Sequence, residues 1–141
     1  MTLIEEAREG GAVVASGGNR EGTLIEPTLL TDAPEDLRVC TEEAFAPVVV
    51  LLRYSDLDDV YERVNSSPCG LQAGLFTYDI RVITRAFERL DVGALIVNDI
   101  NSFRVDQMPY GGVKQSGYGR EGLRWAVREM TEERLLVVDP R

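Results

Sequence analysis

Apolar residues along this chain recur in two periods, and the change from one to the other outlines the fold. After Ser55, which reads as an N-cap, Leu57, Val60, Tyr61 and Val64 fall at i, i+3, i+4 and i+7, the spacing of one helix face. Ile83, Ala86, Phe87 and Leu90 repeat it in a helix beginning near Asp79, and Leu123, Ala126, Val127 and Met130 repeat it again. Thr2 and Glu5 have capping-box spacing and predict a short helix at the start. Each stripe has a charged back, so each helix is expected to bury one face only.

Between the helices lie runs too short to be helical: "GAVVAS", "VVVLL" at 48–52, "LQAGLFT" at 71–77, "GALIVN" at 93–98 and "RLLVV" at 134–138. The run at 48–52 does not alternate, which predicts a strand buried on both faces of a covered sheet. The order strand, helix, strand, helix, strand from 48 to 98 predicts βαβ units, hence an α/β fold with a mostly parallel sheet flanked by helices. From 99 to 122 the pattern breaks into a long irregular loop, and such loops inside compact domains are usually functional.

Composition narrows the function. The 141 residues amount to one domain, and 44% hydrophobic with 28% charged residues suits a chain that buries a core. A net charge of −9 opposes nucleic acid and anionic membrane as partners. No run is long enough for a membrane span, and "MTLIEEAREGG" lacks the order of a signal peptide. Cys40 and Cys69 fit a reduced, cytoplasmic setting better than a disulfide scaffold. With no histidine, histidine triads are excluded, a metal site is not expected, and neither thiol has an imidazole to activate it.

Two stretches carry candidate chemistry. "TEEAFAP" (41–47) sets two carboxylates and a phenyl ring before the strand at 48. It reads either as a solvated turn whose Phe45 plugs the core, or as a site where a carboxylate accepts bonds from hydroxyls such as those of a ribose. "FRVDQMPYGGVKQSGYGREG" (103–122) is rich in glycine and contains Lys114, but it does not match a phosphate loop. Gly117, Gly119 and Gly122 have the bare spacing of a dinucleotide fingerprint, without the strand that fingerprint requires. These glycines are expected to supply positive-φ turns leading into the third helix.

Taken together, "EPTLLTD", "VCTEEAFAPVVVLL", "NSSPCGLQAGLFT", "VGALIVND" and "MPYGGVKQSGYGREGLRWAVREMTE" resemble, in order, the C-terminal part of NAD(P)-dependent aldehyde dehydrogenases, from about Glu5 to Val138. The resemblance implies the C-terminal half of a catalytic domain at 1–132, then an oligomerisation strand and tail at 133–141. Members of that family oxidise aldehydes through a cysteine thiolate and pass hydride to the nicotinamide, and a glutamate then activates water to release the acid. The resemblance places the nucleophilic cysteine, the general-base glutamate and the cofactor domain outside these residues, so no catalytic residue is assigned here and the isolated chain is expected to be inactive.

Against the family pattern E-E-x-F-G-P, Glu43 matches the residue that grips the nicotinamide-ribose hydroxyls of NAD or NADP, and Phe45 the ring beside the nicotinamide. Ala46 replaces the usual glycine. Phe103 and Tyr110 match the wall of the aldehyde pocket. Arg104 in that wall could pair with a substrate carboxylate or phosphate, or equally bridge to Asp106 or the domain edge. A small hydroxylated or anionic aldehyde is the substrate this reading favours. The run at 134–138 is expected to pair across a subunit interface, the other reading being an edge strand of this chain's own sheet. A homo-oligomer, or association with a complementary N-terminal half, follows. A free-standing α/β binding or assembly module is the other reading of the whole chain. Either way, a half-domain is expected to expose apolar surface.

Overall fold

The computed structural model describes residues 2–140, and the chain divides into two compact units, Met1–Val60 and Tyr61–Arg141. In the first unit, α1 (Thr2–Glu9) is followed by β1 (Val13–Ser16), the β2–β3 hairpin (Arg20–Glu21 and Leu24–Ile25), β4 (Thr28–Thr31), the single turn α2 (Arg38–Thr41) and β5 (Val48–Leu51). The sheet order is β1-β4-β5, with β1 antiparallel and β5 parallel to β4. The sequence pattern did not single out β4, yet it is the centre of this sheet, and its Leu30 is fully buried.

One face of the sheet is covered. Leu30 packs with Ala7 of α1, Ala12, Ala33 and Val39 of α2, and Val14, Val48 and Val50 close around them. The other face is bare: Val13, Val49 and Leu51 are 51%, 62% and 56% exposed. Because Val13 registers with Thr31, Thr31 with Leu51, and Leu29 with Val49, these residues share one face. The expectation that the 48–52 strand is covered on both sides is therefore corrected within this chain. β5 does carry apolar residues for two faces, but only one face finds a cover here.

α3 (Leu57–Ser66) spans the boundary between the units. Its cap is Asp56, whose Oδ1 accepts the Asp58 N–H at 2.7 Å, and not Ser55 as the spacing suggested. The second unit continues with β6 (Cys69–Gly70), β7 (Gln72–Leu75), α4 (Ile80–Arg89), β8 (Ala94–Val97), β9 (Val113–Lys114) and α5 (Leu123–Glu129). β7 and β8 pair in parallel through the α4 crossover, the βαβ unit expected at 71–98. The preceding unit differs from expectation: β5 pairs with β4 and not with β7.

α4 starts where predicted. Asp79 is its N-cap and accepts the Arg81 N–H at 2.9 Å, while the Arg81 guanidinium returns to the same carboxylate at 2.8 Å. Those bonds hold the Asp79 carboxyl below its ordinary range, the Arg81 side chain contributing most. At the far end, Asn65 donates to the Arg89 carbonyl at 2.7 Å and accepts the Asp91 N–H at 2.8 Å, tying the end of α3 to the end of α4.

The segment at 99–122 is less irregular than the sequence implied. β9 pairs antiparallel with β6, and Tyr110 and Glu121 form an isolated antiparallel bridge. Gly117, Gly119 and Gly122 adopt φ of 123°, 70° and 119°, the positive-φ role expected of them. Gly93 answers a different need, since a Cβ there would collide with the Gly111 carbonyl. After α5 the chain at 131–140 has no assigned helix or strand and is exposed throughout, so the run at 134–138 is not an edge strand of these sheets.

Candidate functional site

In the first unit the turn between α2 and β5 separates the two glutamates of "TEEAFAP" into different roles. Arg38 forms a two-point pair with Glu42, Nε to Oε1 at 2.9 Å and Nη2 to Oε2 at 3.0 Å, and also reaches Glu6 at 3.2 Å. The hydrogen bond from Arg38 is the main reason the Glu42 carboxyl lies below the usual carboxylate range. Glu43 is exposed and has no hydrogen bond or ion pair among the described residues. One carboxylate is thus neutralised and its neighbour is left free to accept.

Phe45 does not plug the core; it is 87% exposed. It has φ of 43°, a left-handed conformation rare for an aromatic residue, so the backbone holds the ring in solvent at a cost. Ala46 is not at positive φ, which explains why alanine fits where the resemblance suggested glycine. The Val48 N–H closes the turn on the Ala46 carbonyl at 2.7 Å, and the Pro47 carbonyl accepts the Thr28 N–H at 2.8 Å. Beside this turn an open groove of about 660 Å³ is lined by Ser16, Leu29, Ala46, Pro47 and Val49.

An exposed acceptor carboxylate next to an exposed ring is a pair of groups that fits a dinucleotide's ribose hydroxyls and nicotinamide. Glu43 would hold the ribose and Phe45 would flank the ring. Such a cofactor would supply the hydride acceptor.

In the second unit Arg104 and Tyr110 come together. The Arg104 guanidinium lies over the Tyr110 ring, 4.4 Å from its centroid, and Nη2 donates to Glu121 Oε2 at 3.1 Å. The Tyr110 and Glu121 backbones exchange both hydrogen bonds, 3.1 Å and 2.6 Å, fixing the two residues opposite each other. Of the alternatives read for Arg104, a bridge to Asp106 or to the domain edge, the Asp106 pair gives way to one with Glu121, which the sequence reading missed. Nothing in the local sequence foretells a bridge across eleven residues. Phe103 is 43% exposed, and its carbonyl accepts from Gln72 of β7 at 3.3 Å, so the loop is anchored to the parallel pair. Tyr110, Glu121, Leu71, Gly112, Arg120 and Ala126 line a cavity of about 420 Å³.

Lys114 is not a phosphate ligand. Its Nζ donates to the carbonyls of Asn65 at 2.9 Å and Ser67 at 3.2 Å, at the end of α3, with Asp91 at 3.6 Å. Cys40 is half-buried, and burial with nearby Glu35 and Asp36 pushes its thiol up, away from nucleophilic character. Cys69 is exposed in β6. Among the described residues no group of three histidine, cysteine or acidic side chains is placed to hold a metal ion. No described helix is long and apolar enough to cross a membrane.

The model of the aldehyde dehydrogenase family matches residues 1–136. The chain belongs to this family of NAD(P)-dependent dehydrogenases, and it corresponds to one part of the family's fold. It is 48% identical over 136 residues to the 3-sulfolactaldehyde dehydrogenase of Priestia megaterium, covering 96% of this chain and 28% of that protein. Aldehyde dehydrogenase 21 of Physcomitrella patens, solved with the product succinate, superimposes with a TM-score of 0.90 at 43% identity, over 93% of this chain and 27% of that one. Glyceraldehyde-3-phosphate dehydrogenase of Methanocaldococcus jannaschii, solved with NADP, gives 0.87 at 38% identity, over 92% and 28%. The chain therefore spans under a third of the length of each.

Proposed function

We propose that these residues form part of an NAD(P)-dependent dehydrogenase for small anionic or hydroxylated aldehydes. Residues 1–132 contribute to its catalytic domain and 133–141 to contacts between subunits. Glu43 and Phe45 position the cofactor's ribose and nicotinamide, and Phe103, Arg104 and Tyr110 form the aldehyde-pocket wall. The observation that carries this reading is Arg104, a guanidinium oriented on an aromatic face in the loop that resembles the pocket wall. Two of the proteins named above are named for a sulfonate and a phosphate compound and the third is solved with the carboxylate succinate, and all three head groups suit an arginine.

The test uses a complete dehydrogenase carrying this sequence. Arg104→Ala is expected to lower kcat/KM for anionic aldehydes roughly ten- to a hundredfold, the range for a lost charge-assisted bond. Neutral aldehydes should change little. Equal loss for both, or no loss for either, rejects the assignment. The 141-residue polypeptide alone is expected to produce no NAD(P)H from any aldehyde.

The bare face of Val13, Val49 and Leu51 favours a second reading, in which the chain acts by association. On that reading a complementary half covers this face, and mixing the two restores activity. The cytoplasm is the compartment proposed for both readings.

A further inference from the structure

We propose that Glu121 is a specificity-determining residue for the anion that Arg104 receives, favouring singly charged over doubly charged head groups. This rests on the reading of Arg104 as the anion contact and adds the charge class of the ligand. The guanidinium has five N–H donors, and the carboxylate of Glu121 takes one of them through Nη2. Tyr110 covers one face of the guanidinium. Half of the Arg104 side chain, 46%, stays exposed. What is presented to a ligand is therefore a partly committed guanidinium with a carboxylate 3.1 Å away, a pair whose formal charges sum to zero.

Such a pair recognises an oxyanion by hydrogen-bond geometry more than by net attraction. Each extra negative charge on the ligand gains from Arg104 and is opposed by Glu121. Attraction to Arg104 and opposition from Glu121 both scale with the ligand's charge, so the carboxylate offsets the advantage that the second charge of a dianionic phosphate or sulfate would otherwise bring. The arrangement is built: the paired backbone bonds between Tyr110 and Glu121 hold both side-chain partners of Arg104 in register. Neighbouring Arg120 aims its Nη1 at the carbonyls of Gly112 at 2.9 Å and Gly119 at 2.7 Å, so that nitrogen's donors are directed to the backbone.

The test uses the full chain and two ions of matched oxygen chemistry, methanesulfonate and sulfate. Binding is followed by NMR at the Arg104 side-chain N–H and at the Tyr110 and Glu121 amides. In the unaltered chain methanesulfonate is expected to bind at least as well as sulfate once ionic strength is held constant. Glu121→Gln should shift the ratio toward sulfate by roughly threefold, one exposed charge interaction's worth, and Glu121→Asp should restore the original preference. A structural role alone would weaken both ions together. Arg104-dependent binding with an unchanged ratio in Glu121→Gln overturns the inference and leaves Arg104 as the anion contact. If Arg104→Ala leaves the binding of both ions unchanged, or the unaltered chain binds neither, both the contact and its tuning are overturned.

Discussion

Glu43 stands free in an exposed turn, whereas Arg104 is held at two points by a loop that doubles back to reach it. Both are charged residues proposed to meet a ligand, and the contrast follows from what each is proposed to meet. Ribose hydroxyls are neutral donors, so an acceptor with open lone pairs suffices, and the short side chain needs only a well-made turn. Diverting Glu42 onto Arg38 leaves one acceptor unencumbered. An arginine has more rotamer freedom to lose on binding, about 2 kcal/mol, and stacking it beforehand reduces that loss. Freedom suits the glutamate, and restraint suits the arginine.

The sharpest way to break this contrast is at Glu43. In a complete dehydrogenase, Glu43→Ala is expected to raise the KM for NAD(P) about tenfold, with aldehyde KM unchanged; a shift in aldehyde KM instead would deny the division of labour. Next comes the backbone that displays Phe45. Because the strain belongs to the left-handed conformation and the ring is already in solvent, Phe45→Gly should be more stable to denaturant than Phe45→Ala by roughly 1 kcal/mol. Equal stabilities would mean that the turn relaxes once the ring is gone.

A smaller effect is expected from the stack under Arg104. Tyr110→Leu removes the ring face and should weaken anion binding by about 0.5–1 kcal/mol, while Tyr110→Phe should keep most of it. The smallest effect concerns Arg38 and Glu42. The folded-state carboxyl is depressed, so the pair's contribution is present above the ordinary glutamate range and is lost as pH falls through the folded value. Glu42→Gln and the unaltered chain should then differ slightly in Tm at neutral pH and converge in acid.

Much of this was legible beforehand because it is local. The α4 cap at Asp79, the parallel pair around α4 and the positive-φ glycines all depend on residues close in sequence. β4 was hidden because "TLLT" is short, polar at both ends and preceded by Pro27; its burial comes from β1 and β5 on either side. Glu43 and Phe45 came from a matched motif, and the structure adds a physical reason to separate Glu43 from Glu42. Glu121 was out of reach, since its approach to Arg104 is produced by a bridge between residues 110 and 121. The 134–138 run has strand character but no strand partner among the described residues, so its pattern was readable and its pairing was not.

Lys114, the only lysine of the sequence, spends its amine on the carbonyls of Asn65, in the last turn of α3, and of Ser67 just beyond it. The chain therefore carries a built-in chemical reporter. An acylating reagent reaches the Lys114 amine most readily when its hydrogen bonds to the Asn65 and Ser67 carbonyls open. The rate at which that single amine is modified, followed by mass spectrometry, reads out how often the glycine-rich segment lets go, without any engineered probe.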